Sequence, residues 1–546
     1  MLKKLIFLLG NDFIKIIIIT AFVSIFTVLI DTFFLVLILG YLGESFGYET
    51  NISEKLTGFL GSNLIANELF ILSIFGLRSF GAMMTGFWNA KSYTFTVGNA
   101  RLQSLNFLLR SDYSNFIKQD IASTTQAFTT LPLQLGSLIR GAIDLISGTF
   151  LLLSLVVILV ADFGSSMIFG LSALGLITVP FIMYMKKKLL IAGSNAMLNE
   201  NRFISLVNFT LSSFRFIRSA RIEDEVDLSV NTSITGWQSN TKKSLFIAST
   251  PKVFIESLFI FAIIVIGLSE TGVSFITSHL PVLLIVFVRA IPALSSISGS
   301  LQNLQFHWEP SLRFIELQYQ WASGRRNQSS KLIKFDGMEI VKPIVTSDPS
   351  LNFGNLQFNS GDKKVIHGPS GSGKSILLDC LSGFREIEEG SYKSKGSNHV
   401  LAKSMISWKN LVYCAQDEKL FEGTVSDNIF FATSSGALNP NKKTIDEILG
   451  VFSSNLDELY KQPIIQNTRL FSGGQKQLLI LCRAIAQKPK LLFLDELTAS
   501  LDISLEAKVM NIISKNHQDL TILMISHRTN PLLKDFDAIQ IQDLIK

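Results

Sequence analysis

Six long apolar runs dominate the first 300 residues of the chain. They cover Ile16–Gly40, Leu69–Trp88, Leu145–Ala161, Met167–Met185, Val253–Leu268 and Phe275–Ile297. A helix needs about 20 residues to cross the hydrocarbon core of a bilayer. One such run is compatible with a buried core helix, but six in one half of a chain are typical of a helical membrane domain. The sequence therefore predicts six membrane spans.

The basic residues near the ends of these runs predict their orientation. "MLKK" precedes the first span and Lys186–Lys188 follow the fourth, whereas the loop after the first span leans acidic. Short loops rich in Lys and Arg stay in the cytoplasm. We therefore expect both termini and the connections 89–135 and 186–250 in the cytoplasm. "MLKKLIFLLG" resembles a signal peptide, but no small-residue cleavage site follows it, so we expect it to be retained.

Charge and cysteine usage add little beyond this. The net charge of +6 is explained by positive cytoplasmic loops, so we expect no nucleic acid partner. The cysteines are Cys380, Cys414 and Cys482, and their spacing suits neither a metal site nor a disulfide framework. A reducing cytoplasm is the simple interpretation.

The sequence changes character after the last apolar run. We predict a membrane domain over residues 1–320, a polar linker over 321–334 and a second domain over 335–546. In this last part, short apolar strands alternate with amphipathic helices. That alternation predicts an α/β domain with a parallel sheet.

The most specific motif of the second domain is "KKVIHGPSGSGKSILLDCLSG". A short strand leads into GxxxxGKS and a helix follows, which is the required context of a phosphate-binding P-loop. Gly368, Gly371 and Gly373 allow the backbone N–H groups to point inward. Lys374 can reach the β- and γ-phosphates of a nucleotide, and the Ser375 hydroxyl can bind Mg²⁺.

Three further strand ends carry candidate residues. "LLFLDE" ends in Asp495, which can hold a Mg²⁺-bound water, and Glu496, which can polarise the attacking water. "TILMISHR" places His527 after a buried strand that should lie parallel to the first. Gln416 follows another short strand and can sense the metal and the water. A lone histidine or glutamine at such a place is more often structural, and both interpretations stand.

In order, these motifs resemble those of an ABC transporter ATPase domain. The resemblance covers about residues 335–546, and the membrane half resembles the six-span exporter type, which together imply a fold of six helical spans plus a P-loop NTPase domain. It implies ATP hydrolysis with Glu496 as catalytic base, His527 as switch histidine, Gln416 as Q-loop residue, and Asp502 closing the loop after Asp495. The implied metal ligands are Ser375, Gln416 and Asp495, for Mg²⁺. The implied ATP-binding residues are Gly368, Ser370, Gly371, Ser372, Gly373, Lys374, Ser375, Ser472, Gly473, Gly474 and Gln475.

The motif "FSGGQKQ" is similar to the family signature. We predict that Ser472 caps a helix, and that Gly473 and Gly474 permit close approach of the backbone to a phosphate. In the family this phosphate lies on the P-loop of a second subunit, which implies a dimer. A homodimer is expected and a heterodimer stays open.

The sequence departs from the family pattern at three places. Phe471 stands where leucine is usual, Ile376 replaces a common hydroxyl residue, and "KPIVTSDPS" lacks the aromatic residue that usually stacks on adenine.

Two stretches fall where exporters have coupling helices, which pass motion from the ATPase to the spans. They are "RSDYSNFIKQDIASTTQAF" (110–128) and "NFTLSSFRFIRSARIEDEVD" (208–227). Simple extension of the spanning helices is the alternative.

Charged residues inside the predicted spans require a partner or a function. Asp31 and Arg78 lie mid-way along the first two spans, Arg140 and Asp144 lie near the start of the third, and Arg289 lies in the sixth. One interpretation pairs Asp31 with Arg78 and Arg140 with Asp144. The other has Arg78 and Arg289 bind an anionic group of the substrate, such as a pyrophosphate.

The membrane half is also similar to lipid-linked oligosaccharide flippases of bacterial protein N-glycosylation, through "FVSIFTVLIDTFFLVLIL", "FGLRSFGAMM", "LLRSDYSNF", "PKVFIE" and "VRAIPALSSI". This likeness implies a polyprenyl-pyrophosphate glycan as substrate and a place in the bacterial cytoplasmic (inner) membrane. A peptide, lipid or drug exporter is the alternative on the same scaffold. An ATP-gated channel or regulator, and a soluble ATPase that associates with the membrane, are the rivals from other classes.

Overall fold

The computed structural model describes most of the chain. The described residues are 10–46, 68–111, 113, 121–163, 166–266, 268, 280–323, 333–334, 338–345, 351–385, 389–394, 400–401, 408–431, 433, 441–465, 471–528 and 530–545. The chain divides into two compact units. The first comprises Met1–Ser111 and Lys118–Gly324, and the second comprises Asp112–Ile117 and Arg325–Lys546.

The described part of the first unit is helical. Its helices are α1 (Asn11–Phe46), α2 (Glu68–Arg110), α3 (Ile121–Phe128), α4 (Thr130–Phe163), α5 (Ser166–Ser212), α6 (Phe214–Ala220), α7 (Glu223–Ile266) and α8 (Leu280–Ser323). Among described residues, three helical stretches are long and apolar enough to cross a membrane: Asn11–Tyr41, Glu68–Arg110 and Thr130–Phe163. They include the first three predicted spans. The other three fall on α5, α7 and α8, partly outside the described side chains, so the count of six stays a prediction.

Helices α4 and α8 pack closely because small residues line their crossing. A Cβ atom added at Gly148 would lie 2.8 Å from Ile297, and one added at Gly141 would lie 3.0 Å from Asn303. Such close approach of two backbones is how helices associate in lipid, where the hydrophobic effect does not drive packing.

The second predicted coupling stretch forms a separate short helix. Helix α5 ends at Ser212, α6 occupies Phe214–Ala220, and Arg221 adopts a left-handed conformation (φ 56°) before α7 begins. Helix α6 is therefore separate from the long helices α5 and α7 and does not extend either of them. The middle of the first predicted coupling stretch, residues 112 and 114–120, lies outside the described residues, and its last eight residues form α3.

The second unit is built on a parallel five-stranded sheet with the order β14-β5-β13-β12-β9. These strands are β5 (Lys363–His367), β9 (Leu411–Cys414), β12 (Leu491–Asp495), β13 (Thr521–Ile525) and β14 (Asp537–Gln540). Every residue of β12 and β13 is buried, as expected for parallel strands covered on both faces.

The remaining elements surround this sheet. Short strands are β1 (Ile333–Lys334), β2 (Met338–Val345), β3 (Leu351–Asn352), β4 (Leu356–Phe358), β6 (Glu389–Ser394), β7 (Val400–Leu401), β8 (Trp408–Lys409), β10 (Gly423–Thr424) and β11 (Pro463–Ile464). The helices are α9 (Lys374–Ser382), α10 (Val425–Ile429), α11 (Lys442–Leu449), α12 (Leu456–Lys461), α13 (Gly473–Ala486), α14 (Ile503–Asn516) and α15 (Ile541–Leu544). The predicted α/β architecture is present. The predicted linker 321–334 begins inside α8, which ends at Ser323.

Candidate active site

The carboxyl ends of four parallel strands bring the predicted site residues to one edge of the sheet. Asp495 pairs in register with Ile525, and Leu494 with Cys414. The residues that follow these strands and β5 therefore lie along the same edge. This is where ligands bind in open α/β sheets.

The loop after β5 has the backbone of a phosphate cradle. Gly368, Gly371 and Gly373 have φ angles of 153°, 77° and 86°, which residues with a side chain rarely adopt. A Cβ atom at Gly368 would also lie 2.3 Å from Ile541, whereas one at Gly371 would meet no atom within 4 Å. These backbone angles are those that the predicted curl of the loop requires, and a side chain at Gly371 would face open space.

Lys374 begins α9 directly behind this loop. It is buried, and its Nζ atom donates to the carbonyl oxygens of Gly368 (3.0 Å) and Pro369 (2.7 Å). Burial lowers the pKa of Lys374. The ammonium group is thus held within the loop, beside the N-terminus of a helix whose first N–H groups attract anions.

Asp495 is nearly buried, and both of its carboxylate oxygens accept a hydrogen bond. Ser375 Oγ donates to Oδ1 (3.1 Å) and Tyr413 OH donates to Oδ2 (3.0 Å). Burial raises the pKa of Asp495, and these two hydrogen bonds oppose that effect. The predicted metal ligands Ser375 and Asp495 are therefore in direct contact.

This donor set fits Mg²⁺, which prefers hard oxygen ligands from one or two carboxylates together with substrate phosphates. Ser375 supplies a hydroxyl and Asp495 a carboxylate, already 3.1 Å apart. When bound, Mg²⁺ offsets the charge that develops on the phosphate oxygens during transfer.

Glu496 and His527 meet at the same edge of the sheet. His527 Nε2 lies 2.5 Å from Glu496 Oε1. Glu496 has a φ of 52°, a left-handed conformation that is uncommon for a residue with a side chain and concentrates at functional sites. Gln416 lies exposed in the turn after β9, and the described hydrogen bonds do not join it to this pair.

The signature motif forms the predicted helix start. Ser472 caps α13: its Oγ accepts from the Gln475 N–H (3.2 Å), and Gln475 Oε1 accepts from the Ser472 N–H (2.9 Å). A Cβ atom at Gly474 would lie 3.1 Å from the Leu501 side chain and 3.2 Å from the Ser500 carbonyl oxygen, so a side chain there would require these neighbours to shift. Phe471 is buried in the core of the unit, so the larger side chain is accommodated.

The loop after β12 is tied to the signature helix and to α14. Ser500 N–H donates to Gln477 Oε1 (3.0 Å), and Asp502 caps α14 by accepting from the Leu505 N–H (2.8 Å). Asp502 is therefore the last residue of the loop after β12, as the sequence predicts.

Several residues near the site were not predicted. Tyr413 carries the hydroxyl that binds Asp495, and Asp379 of α9 lies close enough to Asp495 for that charge to raise its pKa further. Buried Glu506 accepts from Thr498 Oγ1 (2.5 Å) and Asn530 Nδ2 (2.9 Å), which ties together the segments after β12 and β13. In the sequence, the one feature that points to these residues is that each is a polar residue within a mainly apolar segment.

Comparisons with known proteins agree with this geometry. Residues 351–499 match the family model "ABC transporter". The glutathione/L-cysteine transport protein CydC of Bacillus subtilis is 32% identical over 213 residues, which cover 39% of this chain and only 36% of CydC. A solved bacterial Atm1-family ABC exporter with ATP bound superposes with a TM-score of 0.73 at 15% identity, covering 95% of this chain and 92% of that one.

The chain has the fold of an ABC exporter half-transporter. This confirms the predicted fold class, a helical membrane domain plus a P-loop ATPase domain, whereas the count of six spans stays a prediction. The microcin-J25 export protein McjD of Escherichia coli is 26% identical over 478 residues, 81% of this chain and 77% of McjD. This match extends the similarity into the membrane half of this chain, but it does not identify the substrate of this chain.

Proposed function

We propose that this chain is one half of a dimeric exporter that hydrolyses ATP to move an amphipathic substrate across the bacterial cytoplasmic membrane. The observation that carries the proposal is the convergence of Lys374, Ser375, Asp495, Glu496 and His527 at one sheet edge. These groups supply what phosphoryl transfer requires, namely phosphate binding, metal ligands and a positioned base.

Each residue has a defined task in the proposed reaction. The P-loop N–H groups and Lys374 hold the phosphates of ATP. Ser375 and Asp495 hold Mg²⁺. Glu496 accepts the proton of the attacking water, and His527, 2.5 Å away, keeps the carboxylate oriented.

The signature helix requires a phosphate from a second subunit. Among the described residues, no hydrogen bond joins residues 471–477 to the P-loop; instead this segment binds the loop at Ser500. Gly473 and Gly474 keep the helix N-terminus accessible to an anion. A partner chain that places its P-loop there closes two ATP sites, and closure drives the spans from inward-facing to outward-facing.

For the substrate, we propose an anionic amphipathic molecule, with a lipid-linked pyrophosphate glycan as the leading candidate. Asp31 Oδ1 forms an ion pair with Arg78, and Arg289 lies 3.4 Å from the same oxygen. One carboxylate between two guanidinium groups leaves a net positive charge, which favours an anion. Peptide export is the second candidate, favoured by the match to the microcin exporter over most of both chains.

The Glu496→Gln variant tests ATP-driven transport. In lipid nanodiscs, the wild-type protein should hydrolyse ATP, whereas E496Q should lose roughly 10²-fold or more of the rate and retain ATP in a closed dimer. If the wild-type protein has no turnover to lose, the transporter proposal fails and an ATP-gated regulator is favoured.

The arginine pair tests the substrate class. ATPase stimulation should be measured with a lipid-linked pyrophosphate glycan and with an apolar peptide, for wild type, R78A and R289A. Arg140→Ala is the matched control, because Arg140 lies on a span and pairs only loosely with Asp144 (3.8 Å). If glycan stimulation and export are normal in both R78A and R289A, the anion-binding role is wrong.

A further inference from the structure

Asp495 has a hydrogen-bond partner outside the ATP-binding motifs. Tyr413 lies on β9, where it pairs in register with Phe493 of β12. From there its hydroxyl reaches Asp495 Oδ2 at 3.0 Å. The contact therefore joins the strand that leads to Gln416 with the strand that ends in the metal-binding carboxylate.

The Tyr413 ring packs against two other aromatic rings. The Phe493 ring packs edge-on at 6.3 Å between centroids, and the Phe384 ring lies at 5.6 Å. Aromatic pairs at these separations stabilise one orientation of the ring. The hydroxyl is thus presented to Asp495 by a fixed side chain, at low cost in conformational entropy.

The carboxylate has two oxygens and two donors, and only one of the donors belongs to the predicted metal site. Ser375 occupies Oδ1, on the side of the P-loop. Tyr413, whose hydroxyl also interacts with the Asp379 carboxyl group, donates to Oδ2. The two hydrogen bonds on Asp495 together restrain rotation of its carboxylate about the Cβ–Cγ bond. A carboxylate that binds a metal is commonly held in this way by a hydrogen bond to an outer partner.

We propose that Tyr413 is a positioning residue for Mg²⁺–ATP: its hydroxyl fixes Asp495 so that Oδ1 faces Ser375 and the metal. This inference rests on the proposed function, since it concerns the same site. Removal of the hydroxyl leaves a nearly buried carboxylate oxygen without its donor. The variant carboxylate can rotate or recruit water, and metal affinity falls.

The domain contains a matched control. Tyr460 OH donates to Asp446 Oδ1 (2.7 Å), and both tyrosines are partly buried. Tyr460→Phe therefore deletes a hydrogen bond of the same kind from the same domain, away from the P-loop. A general loss of stability would appear in both variants, whereas a change in metal binding should appear in Tyr413→Phe alone.

The test uses Mn²⁺ as the probe. Binding of Mn²⁺ to ATP-loaded full-length protein is measured by EPR in the E496Q background, which prevents turnover. We expect Y413F to weaken Mn²⁺ binding roughly tenfold, as outer-partner substitutions typically do, and Y460F to leave it unchanged. In the Glu496-containing protein, the ATPase rate of Y413F should recover at high Mg²⁺.

A double-mutant cycle then asks whether Tyr413 acts through Asp495. In a D495N background, the change to phenylalanine should have no further effect on Mn²⁺ affinity; additive effects would overturn the proposal. If Y413F cannot be recovered in folded form, Y413L is used in its place. A normal Mn²⁺ affinity in either variant would also overturn the proposal that Tyr413 positions Asp495. The proposed function fails separately, through a wild-type protein without ATPase activity.

Discussion

His527 Nε2 lies 2.5 Å from Glu496 Oε1, although 31 positions of sequence, including the whole of α14 and β13, separate the two residues. The contact arises because β12 and β13 are neighbouring parallel strands whose carboxyl ends coincide. It brings a candidate base and a group that orients it to the edge of the sheet where the P-loop begins.

This contact predicts that His527→Ala slows ATP hydrolysis by roughly 10²-fold with little effect on ATP binding. Loss of the imidazole frees the Glu496 carboxylate to adopt orientations that do not face the attacking water. Steady-state ATPase assays and nucleotide-binding titrations measure the two effects. His517→Ala is the matched control. His517 lies at the end of α14, where its ring contacts Thr444 (3.1 Å), so we expect this variant to keep wild-type turnover. Equal loss in both variants would show a structural role only.

Asp379 predicts a pH dependence of stability. Burial, reinforced by the charge of Asp495, raises the pKa of Asp379 to about 6 from an ordinary value of 3.8. Between these values the unfolded chain releases the proton while the folded chain keeps it. The free energy of unfolding therefore falls as the pH rises, by roughly 2–3 kcal/mol once the pH passes about 6.

The Asp379→Asn variant removes this effect, because asparagine does not ionise. The melting temperature of D379N should exceed that of the wild type by clearly less at pH 4.5 than at pH 7.5. Thermal unfolding of the full-length protein in detergent at both pH values measures the difference. D519N, at an exposed carboxylate, serves as control. A gap between D379N and wild type that does not grow with pH would refute the assignment.

Tyr113 provides a test of the first predicted coupling stretch. It belongs to the second compact unit, where its ring lies 5.0 Å from the ring of Phe384. We expect Tyr113→Ala to abolish the stimulation of ATPase by substrate while the basal rate persists, since the variant loses a packing contact and leaves the site residues intact. Tyr113→Phe keeps the ring and should behave as wild type. Normal stimulation in Y113A would contradict a coupling role.

The local patterns predicted most of the fold and of the site because they depend on short segments. Glycines at 368, 371 and 373 specify the loop, and apolar strands followed by Asp495 or His527 specify a parallel sheet edge. Tyr413 was not predicted, because its bond to Asp495 depends on the pairing of β9 with β12. The sequence of neither strand, taken by itself, reveals that β9 pairs with β12.

The membrane half was harder to predict at the level of contacts. Pairing of Asp31 with Arg78 is one of the two interpretations that the sequence leaves open, and these side chains do form an ion pair, but Arg289 lies at the same carboxylate as well. That third residue lies on α8, far along the chain. Helix packing, which depends on small residues such as Gly148, places it there.

The proposed exporter requires an ATP site shared between two chains, and complementation of two inactive variants tests this requirement. Lys374→Ala removes the lysine that we propose binds the phosphates of ATP. Gly473→Asp places a negative charge at the signature helix, where an added Cβ atom would meet Ser500 at an ordinary 3.6 Å. Each variant should be inactive as a homodimer, because both of its sites contain one altered component.

In a mixed dimer of these variants, both alterations fall in one site and the other site is intact. ATPase activity of mixed dimers, purified through two different affinity tags and reconstituted in nanodiscs, is the decisive measurement. We expect recovery to about half of the wild-type rate per dimer, because one of two equivalent sites is restored. Mixed dimers as inactive as either parent would contradict a site built from the P-loop of one chain and the signature of its partner.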